Sequence, residues 1–166
     1  MRLLITSFLF VASVFGQTKN DLFVMAGSSF FRPGLAAKSS FNLGYGYLPD
    51  KLKGNKFINE LTVGYTYENC GSGFWPTGNG GCHTPAVGVM RNFDVHPKIT
   101  LYGWVQAGAT GITGGKDVAW RFYSGYSAGM IYKLPHNYSI WTQVTLNKVV
   151  TAPVYPNVMT GLTKSW

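Results

Sequence analysis

Residues 153–166 read PVYPNVMTGLTKSW, and their second half alternates strictly. Val158, Thr160, Leu162, Lys164 and Trp166 fall on one face of an extended strand, and Met159, Gly161, Thr163 and Ser165 on the other. The alternation runs to the final residue, which is aromatic. Soluble domains usually end in a few polar residues that fray, so a terminal Trp asks for a physical reason. A strand held in a sheet with its end at a water–lipid boundary supplies one, because the indole is largely apolar and carries a single polar N–H.

The same period of two recurs upstream, over 22–31, 40–48, 56–68, 86–95, 99–110, 119–133 and 138–147. The clearest case is 56–68, where Phe57, Leu61, Val63, Tyr65 and Tyr67 alternate with Glu60, Thr62, Gly64 and Thr66. In 99–110, Leu101, Val105 and Ala107 oppose Tyr102, Trp104 and Gln106; in 86–95 the position of Arg91 leaves the outward face open. With the terminal strand the stretches number eight, and single-chain bacterial membrane barrels have an even strand number. Counted from a periplasmic N-terminus, the turns at His96-Pro97 and at Leu134-Pro135-His136 are short, as periplasmic connections should be. The segment 49–55 is longer than expected there. Among the connections that should face outward, 69–85, 111–118 and 148–157 are long and 32–38 is short.

Composition points the same way. Only 12% of residues are charged, against about 25% in ordinary soluble domains, while 16% are aromatic and 21 are Gly. Such a balance suits a sheet whose outer face need not be wet. Residues 1–16 read as a secretory signal, with Arg2 followed by an apolar run from Leu3 to Phe15 and small residues before Gln17. The run is too short for a spanning helix, which needs about 20 apolar residues. After it, residues 17–166 make one domain with no helix-length apolar run. A chain of this kind enters a membrane only as a closed barrel, since open sheet edges are not tolerated in hydrocarbon.

Export explains the two cysteines. Cys70 and Cys82, flanked by Gly71, Gly80 and Gly81, are most simply one disulfide closing a loop. A metal site is the weaker reading, because His83 is adjacent but a fourth ligand is missing. The net charge of +8 is scattered through turns, without the basic run or face that nucleic-acid binding uses. Lipid phosphate is the anionic partner at hand.

Gly161, Leu162 and the terminal Trp166 resemble the C-terminal strand signal of bacterial outer-membrane β-barrel proteins. That family usually carries an aromatic or apolar residue two places before the last, where this chain has Lys164. As a whole, 17–166 resembles the small eight-stranded outer-membrane barrels of the OmpA/OmpX type. The resemblance implies an all-β, antiparallel, up-and-down transmembrane barrel in a Gram-negative outer membrane, structural or adhesive in role and without a cofactor. Its partners would be outer-membrane lipid and lipopolysaccharide, the barrel-assembly machinery that reads the last strand, and a surface ligand.

An eight-stranded interior is just wide enough to be filled by side chains, so an open porin is not expected. The inward set is expected to be Gly, Ser, Thr, Asn and Gln, with Glu60 and Arg121 as lumen charges linked directly or through other polar groups. Catalysis is not expected. A hydrolase triad can be drawn only from His83, Ser72 and Asp117, without support from spacing, while His96 and His136 sit beside Pro in short turns. Phe74 and Trp75 on the Cys70–Cys82 loop are the candidates for a binding surface, as rigid aromatic side chains on a stapled loop are what interfaces use. Two further classes stay open: a lipid-modifying barrel enzyme acting from its outer loops, and a secreted lipocalin-like barrel with a ligand cavity.

Overall fold

A computed structural model describes residues 20–31, 37–49, 52, 55, 57–70, 80–113, 118–150 and 152–166. The expected signal segment, 1–16, lies outside them. Eight strands follow in order: β1 (Asn20–Ser29), β2 (Lys38–Tyr47), β3 (Glu60–Asn69), β4 (Gly81–His96), β5 (Ile99–Ile112), β6 (Ala119–Lys133), β7 (Tyr138–Val149) and β8 (Tyr155–Ser165). Each pairs antiparallel with the next, and β1 pairs with β8, so the sheet closes into an up-and-down barrel. Beyond the last strand residue, Trp166 and Asn20 exchange two backbone hydrogen bonds of 3.0 Å, which seals the seam.

One end of the barrel, the turn end, carries the Asn20–Trp166 pair and the short connections 97–98 and 134–137. In the second of these, His136 and Asn137 both have positive φ, and the Tyr138 N–H donates to the Pro135 carbonyl. Positive φ at both central residues is the geometry that suits the right-handed twist of a hairpin. The connection 48–59 is the exception at this end, longer than its counterparts as the sequence indicated. The opposite, loop end carries 30–37, 70–80, 113–118 and 150–154.

The sequence places β6 at its observed bounds, and the largest difference is in β4, expected over 86–95 but 16 residues long. Its first residues look like loop because of Gly81 and Pro85. They pair with β3 all the same, Tyr67 opposite His83 and Tyr65 opposite Pro85. Toward β5 the pairing lapses between His83–Gly111 and Ala86–Gly108, around a proline that has no N–H to give.

The outer face is a band of large apolar side chains, among them Leu22, Leu43, Val87, Leu101, Val144 and Leu162, all exposed. A band of this extent would be penalised in water and is at no cost in hydrocarbon. Its rims carry aromatic side chains, Tyr67 and Trp120 at the loop end and Tyr132, Tyr138 and Trp166 at the turn end. A soluble lipocalin-like barrel, wet outside with a ligand cavity within, is therefore excluded as the fold. The face of β4 is also settled: Val87, Val89 and Phe93 point outward. Arg91 points the same way near the turn end, where its Nη1 donates to the Asn55 carbonyl at 2.9 Å and its guanidinium lies over the Phe93 ring. Such an arrangement lets the stem cover apolar surface while the charge finds a polar partner.

The lumen departs from the small polar set expected. Its middle is an apolar layer in which the Phe23 ring stacks on Trp141 at 5.4 Å and meets Trp104 edge-on at 5.5 Å, while Tyr102 lies 5.1 Å from Trp141. Met25, Met90, Ile131 and Met159 complete it. Two of the polar tips are satisfied within the barrel, Trp104 Nε1 by Thr62 at 2.8 Å and the Tyr102 hydroxyl by Gln143 at 3.0 Å. Glycines make room for these rings: a Cβ at Gly44 would run into the Phe23 ring, and one at Gly129 into that of Tyr102. On the outer face, a Cβ at Gly103 would meet nothing within 4 Å.

Filling a packed core with one methyl too many costs about 1–3 kcal/mol. Gly44→Ala should lower the urea midpoint of the protein refolded into micelles by an amount corresponding to that cost, and Gly103→Ala should leave it near wild type. Equal midpoints for the two variants would show that the lumen is not close-packed at this layer.

Candidate functional site

Toward the loop end, the lumen narrows onto one carboxylate. Glu68, on the inward face of β3, is 2% exposed. Its Oε1 accepts from Ser29 Oγ at 2.5 Å and Asn157 Nδ2 at 2.9 Å, and its Oε2 accepts from the Tyr155 hydroxyl at 2.7 Å. The same Asn157 amide also donates to Ser29 Oγ at 2.9 Å. Strands β1, β3 and β8 are thereby tied to one buried group by neutral donors. Around it, Tyr123 donates to Asn147 at 2.8 Å, and Thr84 and Thr110 share a 2.9 Å bond. An apolar cap of Phe31, Cys70, Cys82, Ile112, Val149 and Ala152 packs above this network.

Cys70 and Cys82 lie in that cap, both buried, with Cα atoms 5.7 Å apart, within the range a disulfide requires. The Cys70 N–H donates to the Gly80 carbonyl at 3.0 Å, so the two arms of the 70–80 connection are also joined by backbone. Phe74 and Trp75 on that connection lie outside the described residues, as do Ser72 and Asp117. His83 faces outward on β4. Its Nδ1 is hydrogen-bonded to the Tyr65 hydroxyl, and its ring lies 5.3 Å from that of Tyr67. It belongs to the aromatic rim. Among the described residues no group of three or more His, Cys, Asp or Glu is arranged to hold a metal ion.

The two charges expected in the lumen part company. Glu60 is inward and 4% exposed, at the turn end of β3. Arg121 has the inward parity, but it stands near the loop-end start of β6, where its side chain reaches water and its Nη1 donates to the Trp120 carbonyl at 2.9 Å. It is not a lumen charge, and strands running the full barrel height separate it from Glu60. Escape into solvent spares the guanidinium the several kcal/mol of desolvation that burial would cost. Glu68, in contrast, has no local signature in the sequence. Carrying the β3 alternation one step past Thr66 reaches it, but its partners lie on strands 39 and 87 residues away in the chain.

The terminal motif is explained by the seam. At Gly161 a Cβ would stand 2.6 Å from the Met25 Cα of β1, so that position has no room for a side chain. Leu162 and Trp166 point outward, exposed. Lys164, where the family pattern has an apolar residue, lays its ammonium over the Tyr138 ring at 4.1 Å and donates to the His136 carbonyl at 2.6 Å. It thereby closes the turn-end rim in the role of an interfacial residue.

The chain has the fold of the small eight-stranded outer-membrane barrels. Among solved structures, Neisserial surface protein A superposes with a TM-score of 0.64 at 15% identity, covering 90% of this chain and 97% of that one. Ail, the attachment invasion locus protein of Yersinia pestis, gives 0.60 at 17% identity, covering 90% and 99%. The outer membrane enzyme PagL gives 0.54 at 13% identity, covering 87% and 98%. No family model matches the sequence, and no curated protein does. Identities this low carry the fold and leave function to the site.

The barrel's loop-end network and its rim arginine should respond differently to truncation. Glu68→Leu leaves three buried donors without an acceptor and should cost about 3 kcal/mol in urea unfolding, whereas Arg121→Leu should cost under about 0.5 kcal/mol as a surface change. A larger loss at Arg121 than at Glu68 would return Arg121 to a structural role.

Proposed function

We propose that this protein is an integral surface protein of a Gram-negative outer membrane, with both termini periplasmic, that acts by binding through its loop end. It is neither a pore nor an enzyme in this proposal. The closed lumen carries the assignment: between the aromatic layer and the Glu68 network the remaining gap is ≈ 10 Å³, no more than about one water requires. With nothing to conduct, the surface left for a specific task is the set of loops above a rigid platform. The short turns at the end carrying the termini support its periplasmic placement.

In this reading the Cys70–Cys82 disulfide staples the 70–80 connection to the buried cap, and Phe74 and Trp75, which lie between the two cysteines in the chain, supply the aromatic contacts. The net charge of +8 favours an anionic partner, lipopolysaccharide phosphate or an acidic surface glycan. Ail, of the same fold, has been solved with the heparin analogue sucrose octasulfate. The barrel-assembly machinery is the further partner, through β8.

Heparin and lipopolysaccharide are the probes. The protein in micelles should bind at least one of them with an affinity that falls as salt rises. Phe74→Ser combined with Trp75→Ser, and separately Cys70→Ser with Cys82→Ser, should each weaken binding about tenfold, equivalent to the loss of about 1.4 kcal/mol. Conductance steps in planar bilayers, or no binding to either probe, would end the proposal. A lipid-modifying enzyme is the second reading, favoured by the likeness to PagL and by His83 facing outward at the loop end. Lipid A of an expressing host should stay unchanged; altered acylation that His83→Ala abolishes would decide for the enzyme.

A further inference from the structure

At the turn end, β3 stops short of its neighbour. Its first residue, Glu60, is opposite Met90, yet β4 runs on to His96, so the last residues of β4 have no strand beside them on that side. Residues 55 and 57–59 cover this edge instead. The Asn59 N–H donates to the Met90 carbonyl at 2.9 Å, the Asn92 N–H donates to Asn59 Oδ1 at 2.6 Å, and Arg91 Nη1 donates to the Asn55 carbonyl at 2.9 Å. The Phe57 and Ile58 N–H groups both donate to Asn55 Oδ1, at 2.8 and 3.3 Å. Phe57 is thereby held within two residues, at most about 7 Å of chain, of the point that Arg91 grips. Its side chain is 84% exposed, more than any other large apolar one among the described residues.

Arg91 itself is on the lipid-facing side of β4, between Val89 and Phe93. A guanidinium has five N–H donors. Its acceptor here is the neutral Asn55 carbonyl, and the Phe93 ring lies 5.3 Å away. Among the described residues the side-chain carboxylates are all elsewhere: Asp21, Glu60 and Asp94 line the mouth of the lumen, and Glu68 sits in the loop-end network. An arginine on the outer wall of a membrane barrel is penalised according to its depth, and an anion at the boundary relieves that penalty. The anion found at a membrane boundary is the lipid phosphodiester, whose two free oxygens match the guanidinium fork. In the sequence, the connection that carries Phe57 also carries Lys51, Lys53 and Lys56 against the single acid Asp50, a balance that favours a headgroup with net negative charge. We propose that Arg91, flanked by Phe93 and Phe57, is a headgroup site for an anionic phospholipid. The guanidinium takes the phosphate, and the Phe57 ring enters the apolar side of the boundary next to it. The inference rests on the transmembrane fold and not on binding at the loop end.

Phosphatidylglycerol and phosphatidylcholine are the probes, titrated into the protein in maltoside micelles, which contain no phosphate, with bound lipid counted by native mass spectrometry. Phosphatidylglycerol should be held about tenfold more tightly than phosphatidylcholine, and Arg91→Gln and Phe57→Ser should each weaken its binding about tenfold. Lys98→Gln, which removes a charge from the neighbouring turn, should stay within about twofold of wild type. Folding of each variant is checked by heat-dependent gel mobility, and Phe57→Ser, which removes an exposed ring, carries the test if Arg91→Gln does not fold. Equal retention of the two lipids, or a loss in Lys98→Gln as large as in Arg91→Gln, overturns the proposal in favour of diffuse attraction. Displacement of the lipid by inorganic phosphate overturns it in favour of a free anion. Wild-type affinity in a folded Arg91→Gln or Phe57→Ser overturns the placement.

Discussion

Every peptide group in a membrane-spanning segment must find its partner within the protein, and the rest of this structure depends on that constraint. The ladder between β1 and β8, from Asp21–Ser165 to Ser29–Asn157, satisfies it by leaving no open edge. Closure is sterically exacting at this seam. A Cβ at Gly161 of β8 would press on the Met25 Cα, and one at Gly27 of β1 would come within 2.7 Å of the Met159 Cα. Glycines at these places let two strands distant in sequence approach to pairing distance, and once they pair, the pleat sorts every remaining side chain to lipid or lumen.

On the lipid side the sorting is uniform, and in the lumen it is layered. Rings and methionines fill the middle, with Phe23 laid over Gly44 and Tyr102 over Gly129 of the neighbouring strands. Polar groups are pushed toward the two ends. At the loop end they close on Glu68, whose named donors are neutral and drawn from β1 and β8. At the turn end they surround open volume instead. A barrel of eight strands thus has two chemically different mouths separated by a dry plug, and whatever each end binds, the other is insulated from it.

That asymmetry also orders the functional possibilities. Among the described residues, the middle of the lumen is filled by close-packed aromatic side chains. The loop end is stiffened by β-pairing, by the carboxylate network and by the cap that includes both cysteines. In the proposed function, a stiff platform lowers the ordering cost of recognition at that end. The shared architecture with Neisserial surface protein A, Ail and PagL shows that one scaffold carries different tasks, decided by residues that differ among them.

The strand count, the antiparallel order and the alternation of two faces along most strands were legible in the sequence. Period two is a local property, and a lipid-facing surface forces it into view wherever Leu, Val and Tyr alternate with small or polar residues. The terminal Gly161-Leu162 and Trp166 were legible for the same reason. What the sequence by itself left undecided is whatever depends on how the strands tilt and stagger against one another. Tilt decides which inward residues share a layer, so Glu68 meets Ser29 and Tyr155 and not the neighbour a linear reading would pair it with. Stagger decides how far a strand projects beyond the lumen, which turned Arg121 out to water, and how far pairing persists through Pro85 at the start of β4. Neither quantity is written in any single strand, because both are set by closing the ladder around the whole circumference.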